Sequence, residues 1–253
     1  MTRQRQDPLF DAYLCLVADT LDDLERTRIA NENRVRQLTR SATDSDGEQR
    51  GLGLDARSPE VARAQALVAS IAALEHAAEL DLKRALRTHP LYPFIKRTIG
   101  VGEKQAARLL AAIGDPYWND LHDRPRTVSE LWAYCGYAVH NGAAQRRRRG
   151  EKTNWSDTAK MRAFLIALSC IKQENSPYRI VYDESRIGDV DKLHTTECVR
   201  CGPSGKPAQP GTPLSAGHQH QRALRRVSKA LLKDLWIEAR ALHRPDLATE
   251  EAA

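Results

Sequence analysis

Aromatic side chains are scarce in this 253-residue chain, at 6% of its residues. That argues against a sheet-rich fold and against a platform on which nucleic-acid bases stack. No apolar run approaches the roughly 20 residues of a membrane-spanning helix, so no membrane partner is expected. The opening Met1-Thr2-Arg3-Gln4-Arg5 carries charge, but no uninterrupted apolar stretch follows it, and no secretory signal is read there. Five cysteines are too few for a disulfide framework. Cys15, Cys135 and Cys170 stand in apolar helical text, where a reduced thiol packs as a small hydrophobe. Only Cys198 and Cys201 are close in sequence. A reducing cytoplasm is the expected setting.

Internal repeats are also missing, and convincing strands are few. What remains is ordinary for a soluble globular protein of one or two domains: 41% hydrophobic and 28% charged residues. The 39 Lys and Arg exceed the 33 Asp and Glu, giving a net charge of +6. Arginine is far commoner than lysine. This balance permits a polyanionic partner without requiring one.

The expected fold class is mainly α, in four parts. Residues 1–91 read as a coiled-coil helical hairpin. On its first helix Leu14, Val17, Leu21 and Leu24 are spaced 3-4-3, and Val35 and Leu38 resume the phase after Arg28 and Asn31. Residues 41–57, rich in Ser, Asp and Gly, read as a flexible loop. Ser58-Pro59 restarts a helix with an N-cap and a proline at its first position. Its apolar stripe is Leu67, Ile71, Leu74, Ala78, Leu82 and Leu86. Residues 92–187 read as a compact helical domain. Helices are expected over Tyr92–Ile99 and Glu103–Ile113, from Val128 behind a Thr127 capping box, from Ser156 to about Lys172, and over Arg179–Tyr182. Residues 188–220 lack periodicity. Residues 221–253 are a closing helix and tail, the helix starting near His218 and burying Leu224, Val227, Leu231, Leu235 and Ala239.

Two segments carry the chemistry expected of a phosphate binder. In Ile99-Gly100-Val101-Gly102-Glu103-Lys104, Gly100 and Gly102 suit a tight turn and a close backbone approach. The turn feeds a helix N-terminus, whose free N–H groups and dipole favour a phosphate, and Lys104 adds charge. The segment resembles a helix–hairpin–helix that would position DNA without reading its bases. A plain helix–helix turn would need the same glycines. The second segment is Arg146, Arg147, Arg148 and Arg149, with Lys152 close behind. Four adjacent guanidinium groups repel one another, and a polyanion relieves that repulsion. A solvated charge run is the plainer reading.

A third segment points to a metal. Cys198 and Cys201 form a CxxC turn, His194 lies four residues before it, and His218 and His220 follow a Gly/Pro-rich loop. That spacing suits a zinc knuckle, and a loop so poor in apolar residues needs a staple. Five candidates exist for four positions. The favoured set is Cys198, Cys201, His194 and one of His218 and His220. Four protein ligands would make the zinc structural.

Taken together, these pieces resemble the insertion-sequence 110/116/902 transposases over residues from about 60 to 240. The most specific stretch is Ile99-Gly100-Val101-Gly102 through Ala107, Leu109-Leu110 and Ile113-Gly114-Asp115. Leu131-Trp132-Ala133-Tyr134-Cys135-Gly136, the basic RRRRGEK run, Arg162–Leu165 and Val227–Trp236 also look like that family. The resemblance implies DNA transposition or recombination, with the knuckle as an insertion. It also implies two departures. The family's RNase H-like nuclease domain has no counterpart here, since Asp19, Asp22 and Asp23 fall on a coiled-coil helix. Asn141 stands where the family places its nucleophilic serine, and an amide cannot form an ester with a DNA phosphate.

The leading expectation is therefore a catalytically silent protein that binds DNA or structured RNA and forms a homo-oligomer through its coiled coil. A transposase subunit working with a separate nuclease chain is the second reading. A coiled-coil and zinc scaffold for protein partners is the third.

Overall fold

The computed structural model describes residues 9–140, 142–145, 147, 150–203 and 206–243. The fold is mainly α. In chain order the helices are α1 (Ala12–Thr39), α2 (Pro59–Thr88), α3 (Tyr92–Arg97), α4 (Glu103–Ile113), α5 (Val128–Tyr134), α6 (Asp157–Cys170), α7 (Pro177–Ile187) and α8 (Ala216–His243). Two antiparallel pairs of two-residue strands complete it: β1 (Trp118–Asn119) with β2 (Arg124–Pro125), and β3 (Val139–His140) with β4 (Ala143–Ala144). Among the described residues no helix is long and apolar enough to cross a membrane. The chain divides into two units, one of Ala12–Arg87 and the other of Thr88–Ala253 with the segment up to Asp11. The segment after residue 188 thus belongs to the same unit as α3–α7.

In the first unit α1 buries Leu14, Val17 and Leu21, the expected seam. On α2 the seam is shifted from the one expected. Val61, Leu82 and Leu86 are fully buried, whereas Leu67 is 56% and Leu74 59% exposed. The half-buried line runs instead through Ala64, Val68, Ile71 and Glu75. Leu67 and Val68 are neighbours, and alanines surround both, so apolar spacing alone cannot choose between them. Glu75 decides the phase. Arg28, the cation in the α1 seam, donates from Nε to Glu75 Oε2 at 2.5 Å and from Nη1 to Glu32 Oε1 at 2.7 Å. The Glu75 and Glu32 carboxylates raise the Arg28 pKa. Nearer the start of α1, Tyr13 Oη donates to Asp81 Oδ2 at 2.5 Å. Early α1 meets late α2, so the helices run antiparallel.

Residues 41–57, expected to be a flexible loop, are tied back onto α1. Leu52 N donates to Gln37 O, Gly53 N to Arg40 O and Leu54 N to Leu38 O, at 2.9, 3.1 and 2.9 Å. Asp44 pairs with both Arg40 and Arg50.

In the second unit, local chemistry starts α5 and α6 where the sequence predicts. Thr127 accepts from Glu130 N while the Glu130 carboxylate accepts from Thr127 N, a complete capping box. Ser156 and Ser176 cap α6 and α7, and Pro177 opens the latter. Helix α7 exceeds the predicted Arg179–Tyr182 at both ends, starting at Pro177, within the Ser176-Pro177 expected to interrupt, and running to Ile187. Its added turns hold Asp183, Glu184 and Arg186, too polar to show a stripe, but Arg179 pairs with Asp183 at 2.7 Å across one turn. Helix α8 buries Leu224, Val227, Leu231, Leu235 and Ala239, the whole expected face. It packs against α5, α6 and α7. Trp132 Nε1 donates to Lys229 O at 3.0 Å, and Tyr178 Oη to Asp234 Oδ2 at 2.9 Å. Cys135 and Cys170 lie inside this packing, and burial pushes their thiols up to about 12 and about 11. They are packing groups, as their apolar surroundings in sequence suggested.

Candidate metal centre

Between α7 and α8 the chain folds into a short ladder that needs few apolar contacts. Leu214 N donates to Lys192 O, His194 N to Thr212 O and Gly211 N to His194 O. Farther along, Cys198 and Ala208 exchange both backbone hydrogen bonds at 2.9 Å. Cys201 N turns back to Cys198 O at 3.3 Å, which brings the two thiols to one side. Gly202 follows at a point of close approach. A Cβ there would lie 1.7 Å from Lys206 O, so no other residue fits without moving the backbone.

This ladder brings His194, Cys198, Cys201 and His218 together, with one ligand atom from each all within 4.8 Å of one another. His218 comes from the first turn of α8, where Ser215 Oγ accepts from His218 N at 3.2 Å. Its Nδ1 lies 3.3 Å from Cys201 Sγ and 3.9 Å from Cys198 Sγ. Metal bonds of about 2.0–2.3 Å place tetrahedral ligand atoms about 3.3–3.8 Å apart, so these separations suit one ion. His194 is oriented for the same task. Its Nδ1 lies 2.9 Å from Thr212 O, a bond that requires the proton on Nδ1. The lone pair is then on Nε2, which is buried and has no hydrogen-bond partner. A metal-ligating imidazole characteristically gives its other N–H to a carbonyl in this way. Ser215 Oγ also donates to Cys201 Sγ at 3.2 Å.

His220, the fifth candidate, falls outside this cluster. Its Nδ1 lies 2.8 Å from Tyr182 Oη, tying α8 to α7. Asp189 makes a second tie. It is fully buried and pairs with Lys192 at 2.7 Å, Arg222 at 2.9 Å and Arg226 at 3.4 Å. Burial alone would raise its carboxyl, but the Lys192 and Arg222 hydrogen bonds hold it below its ordinary value. Sequence spacing did not reveal Asp189.

The expected phosphate contacts lie elsewhere in this unit and are not brought together. Gly100 has φ +94°, and a Cβ on it would lie 2.7 Å from the Cys170 Cα, so the turn backs directly onto the end of α6. Gly102 is the N-cap of α4 with φ −80°, and nothing lies within 4 Å of the place its Cβ would take. Lys104 is half-buried in the first turn. Arg147 and Lys152 are exposed in the loop before α6, where Arg147 pairs with Asp157 at 3.6 Å. Arg146, Arg148, Arg149 and Asn141 lie outside the described residues. The glycine turn and the basic loop therefore stand at opposite ends of α6, about 20 Å apart for its 14 residues.

Three further cations were missed by the sequence reading, which had attended only to the apolar face of α8. Lys160 Nζ lies 4.7 Å from the Trp155 ring centre, Arg225 Cζ 5.7 Å from that of Tyr137, and Lys229 Nζ 3.7 Å from that of Trp132. The i, i+4 spacing of Arg225, Lys229 and Lys233 was the available signal.

Comparison with protein-family models, curated proteins and solved structures returns no match for this chain.

Proposed function

We propose that this chain is a nucleic-acid-binding protein whose 188–220 segment is held by a structural zinc ion. The thiolate and imidazole set selects zinc over hard cations, and four protein ligands leave no position for a reacting water. The observation that carries the reading is the makeup of α8. Its first turn supplies His218, and the following turns supply Arg225 and Lys229 beside Arg222 and Arg226, which share the buried Asp189. An ion at the start of this helix would fix the element that presents the charge. The Gly102 turn and the Arg147–Lys152 loop add the features that suggested a phosphate binder in the sequence. The likeness to insertion-sequence transposases supports DNA as the partner, with structured RNA as the other arm of the test. Free thiols at all five cysteines suit a reducing cytoplasm.

The protein is expected to bind without cutting or joining strands, because Asn141 occupies the position expected of the serine. Binding to labelled duplex, branched DNA and structured RNA should weaken steeply with salt, with a slope of about 0.9 per duplex phosphate contacted. Lys152→Gln and Arg147→Gln should lower the affinity alike for unrelated sequences. Parental affinity in these variants would remove the loop from the site. A covalent protein–DNA adduct would overturn the silent reading.

The homo-oligomer remains part of this proposal. Leu67 and Leu74 form an outward line on α2 that a second copy would cover. Light scattering should give at least a dimer at micromolar concentration, and a monomer would sink this part.

A further inference from the structure

The face between α6 and α8 holds a cleft of about 430 Å³, within the range of ligand pockets. Lys160, Met161 and Phe164 of α6 line it, with Gln221 and Arg225 of α8 and Tyr137. Asp157 is its acidic member, and that carboxylate is engaged by Trp155 Nε1 at 2.9 Å and by Arg147 at 3.6 Å. Lys229 extends the cationic edge one turn beyond Arg225.

An ordinary surface neutralises its cations with carboxylates. Here Lys160, Arg225 and Lys229 lie against aromatic faces, which holds each cation in place without cancelling its charge, and Lys160 also feels the Asp157 carboxylate. Arg225 is fixed further by donating from Nη2 to Tyr137 O at 2.5 Å and Ala138 O at 2.9 Å. Arg225 also repels each of the two lysines. Burial first and the Arg225 charge second push both lysine ammonium groups below their ordinary value. A bound anion would relieve that repulsion.

We propose that Lys160, Arg225 and Lys229 form an anion subsite for a backbone phosphate of the bound nucleic acid. This rests on the nucleic-acid reading above and gives it a location. Gln221 adds an amide at the same cleft, and Met161 and Phe164 supply an apolar wall beside it. The subsite belongs to the basic-loop end of α6, not to the glycine turn, so the two segments singled out in the sequence contribute unequally. Arg147 of the loop reaches the cleft at Asp157.

The test uses the zinc-loaded full chain and a labelled 20-base-pair duplex, with single-stranded DNA and structured RNA in parallel. Lys160→Gln with Lys229→Gln should lower affinity at least tenfold at low salt and reduce the salt slope by about 2 on duplex. Lys160→Arg with Lys229→Arg should restore most of the binding, which a purely structural loss would not. Millimolar inorganic phosphate should change the Trp132 and Trp155 fluorescence of the parent but not of the double glutamine variant. A parent that binds all three nucleic acids no better than a neutral control overturns both readings. A parent that binds, with a double glutamine variant of equal affinity and slope, overturns the subsite alone.

Discussion

Freshly purified, reduced protein should carry about one zinc per chain, and Cys198→Ser or Cys201→Ser should release it. The structural effect should be large but local. The 192–214 ladder has few buried apolar residues, so without the ion its backbone bonds at Cys198 and Ala208 should lose their protection from hydrogen exchange. Helix α8 keeps its apolar face and should stay folded beyond its first turns. Structural zinc contributes on the order of 10 kcal/mol in isolated zinc-finger peptides, an upper bound for a ladder already anchored at both ends. His194→Ala should lose zinc, whereas His220→Ala should retain it and forfeit the Tyr182 hydrogen bond, about 1 kcal/mol, with the ring contact beside it. Metal analysis of these two variants separates the cluster from the nearby histidine. Parent protein without zinc, or a His194 variant that keeps it, would refute the assignment.

Gly100→Val should destabilise the second unit by about 3 kcal/mol or more. A branched side chain resists φ +94°, and its Cβ would meet the backbone of α6 at Cys170. Gly102→Val should cost less than about 1 kcal/mol, because φ −80° with ψ 139° suits valine and the space beyond it is open. The two glycines, alike in sequence, thus have different reasons to be there. Denaturation midpoints followed by tryptophan fluorescence would distinguish them. Nucleic-acid affinity measured on the folded Gly102 variant then asks whether the open space admits a phosphate. Equal stability of the two variants would contradict the packing described for Gly100.

Much of this fold could be read from the chain because its signals are local. Thr127 with Glu130, and Ser156, mark helix starts through contacts within a few residues. The α8 face follows from 3.6-residue spacing, and the candidate metal cluster follows from a CxxC turn with histidines at suitable distances. What could not be read depended on tertiary placement. His218 and His220 lie two residues apart on a helix and point to different neighbours. The α2 seam was ambiguous until Glu75 met Arg28. Asp189 has no motif, since its role arises from Arg222 and Arg226 on a helix more than 30 residues away. The Lys160, Arg225 and Lys229 group unites two helices and three aromatic rings, which no single window of sequence contains.

The Arg28–Glu75 pair also limits how α1 and α2 can slide past each other. Seams repeating every seven residues would otherwise tolerate a slip of one heptad, exchanging one set of apolar neighbours for another. Such a slip would set Arg28 opposite Val68 or Leu82, the seam residues seven before and seven after Glu75. An arginine partly removed from water would then face a branched aliphatic side chain, and Glu75 would lose its cation as well. Separating the pair would cost its Coulomb and hydrogen-bond energy, which an apolar neighbour cannot replace. The Arg28–Glu75 pair thus joins the Tyr13–Asp81 hydrogen bond in holding the two helices in one register.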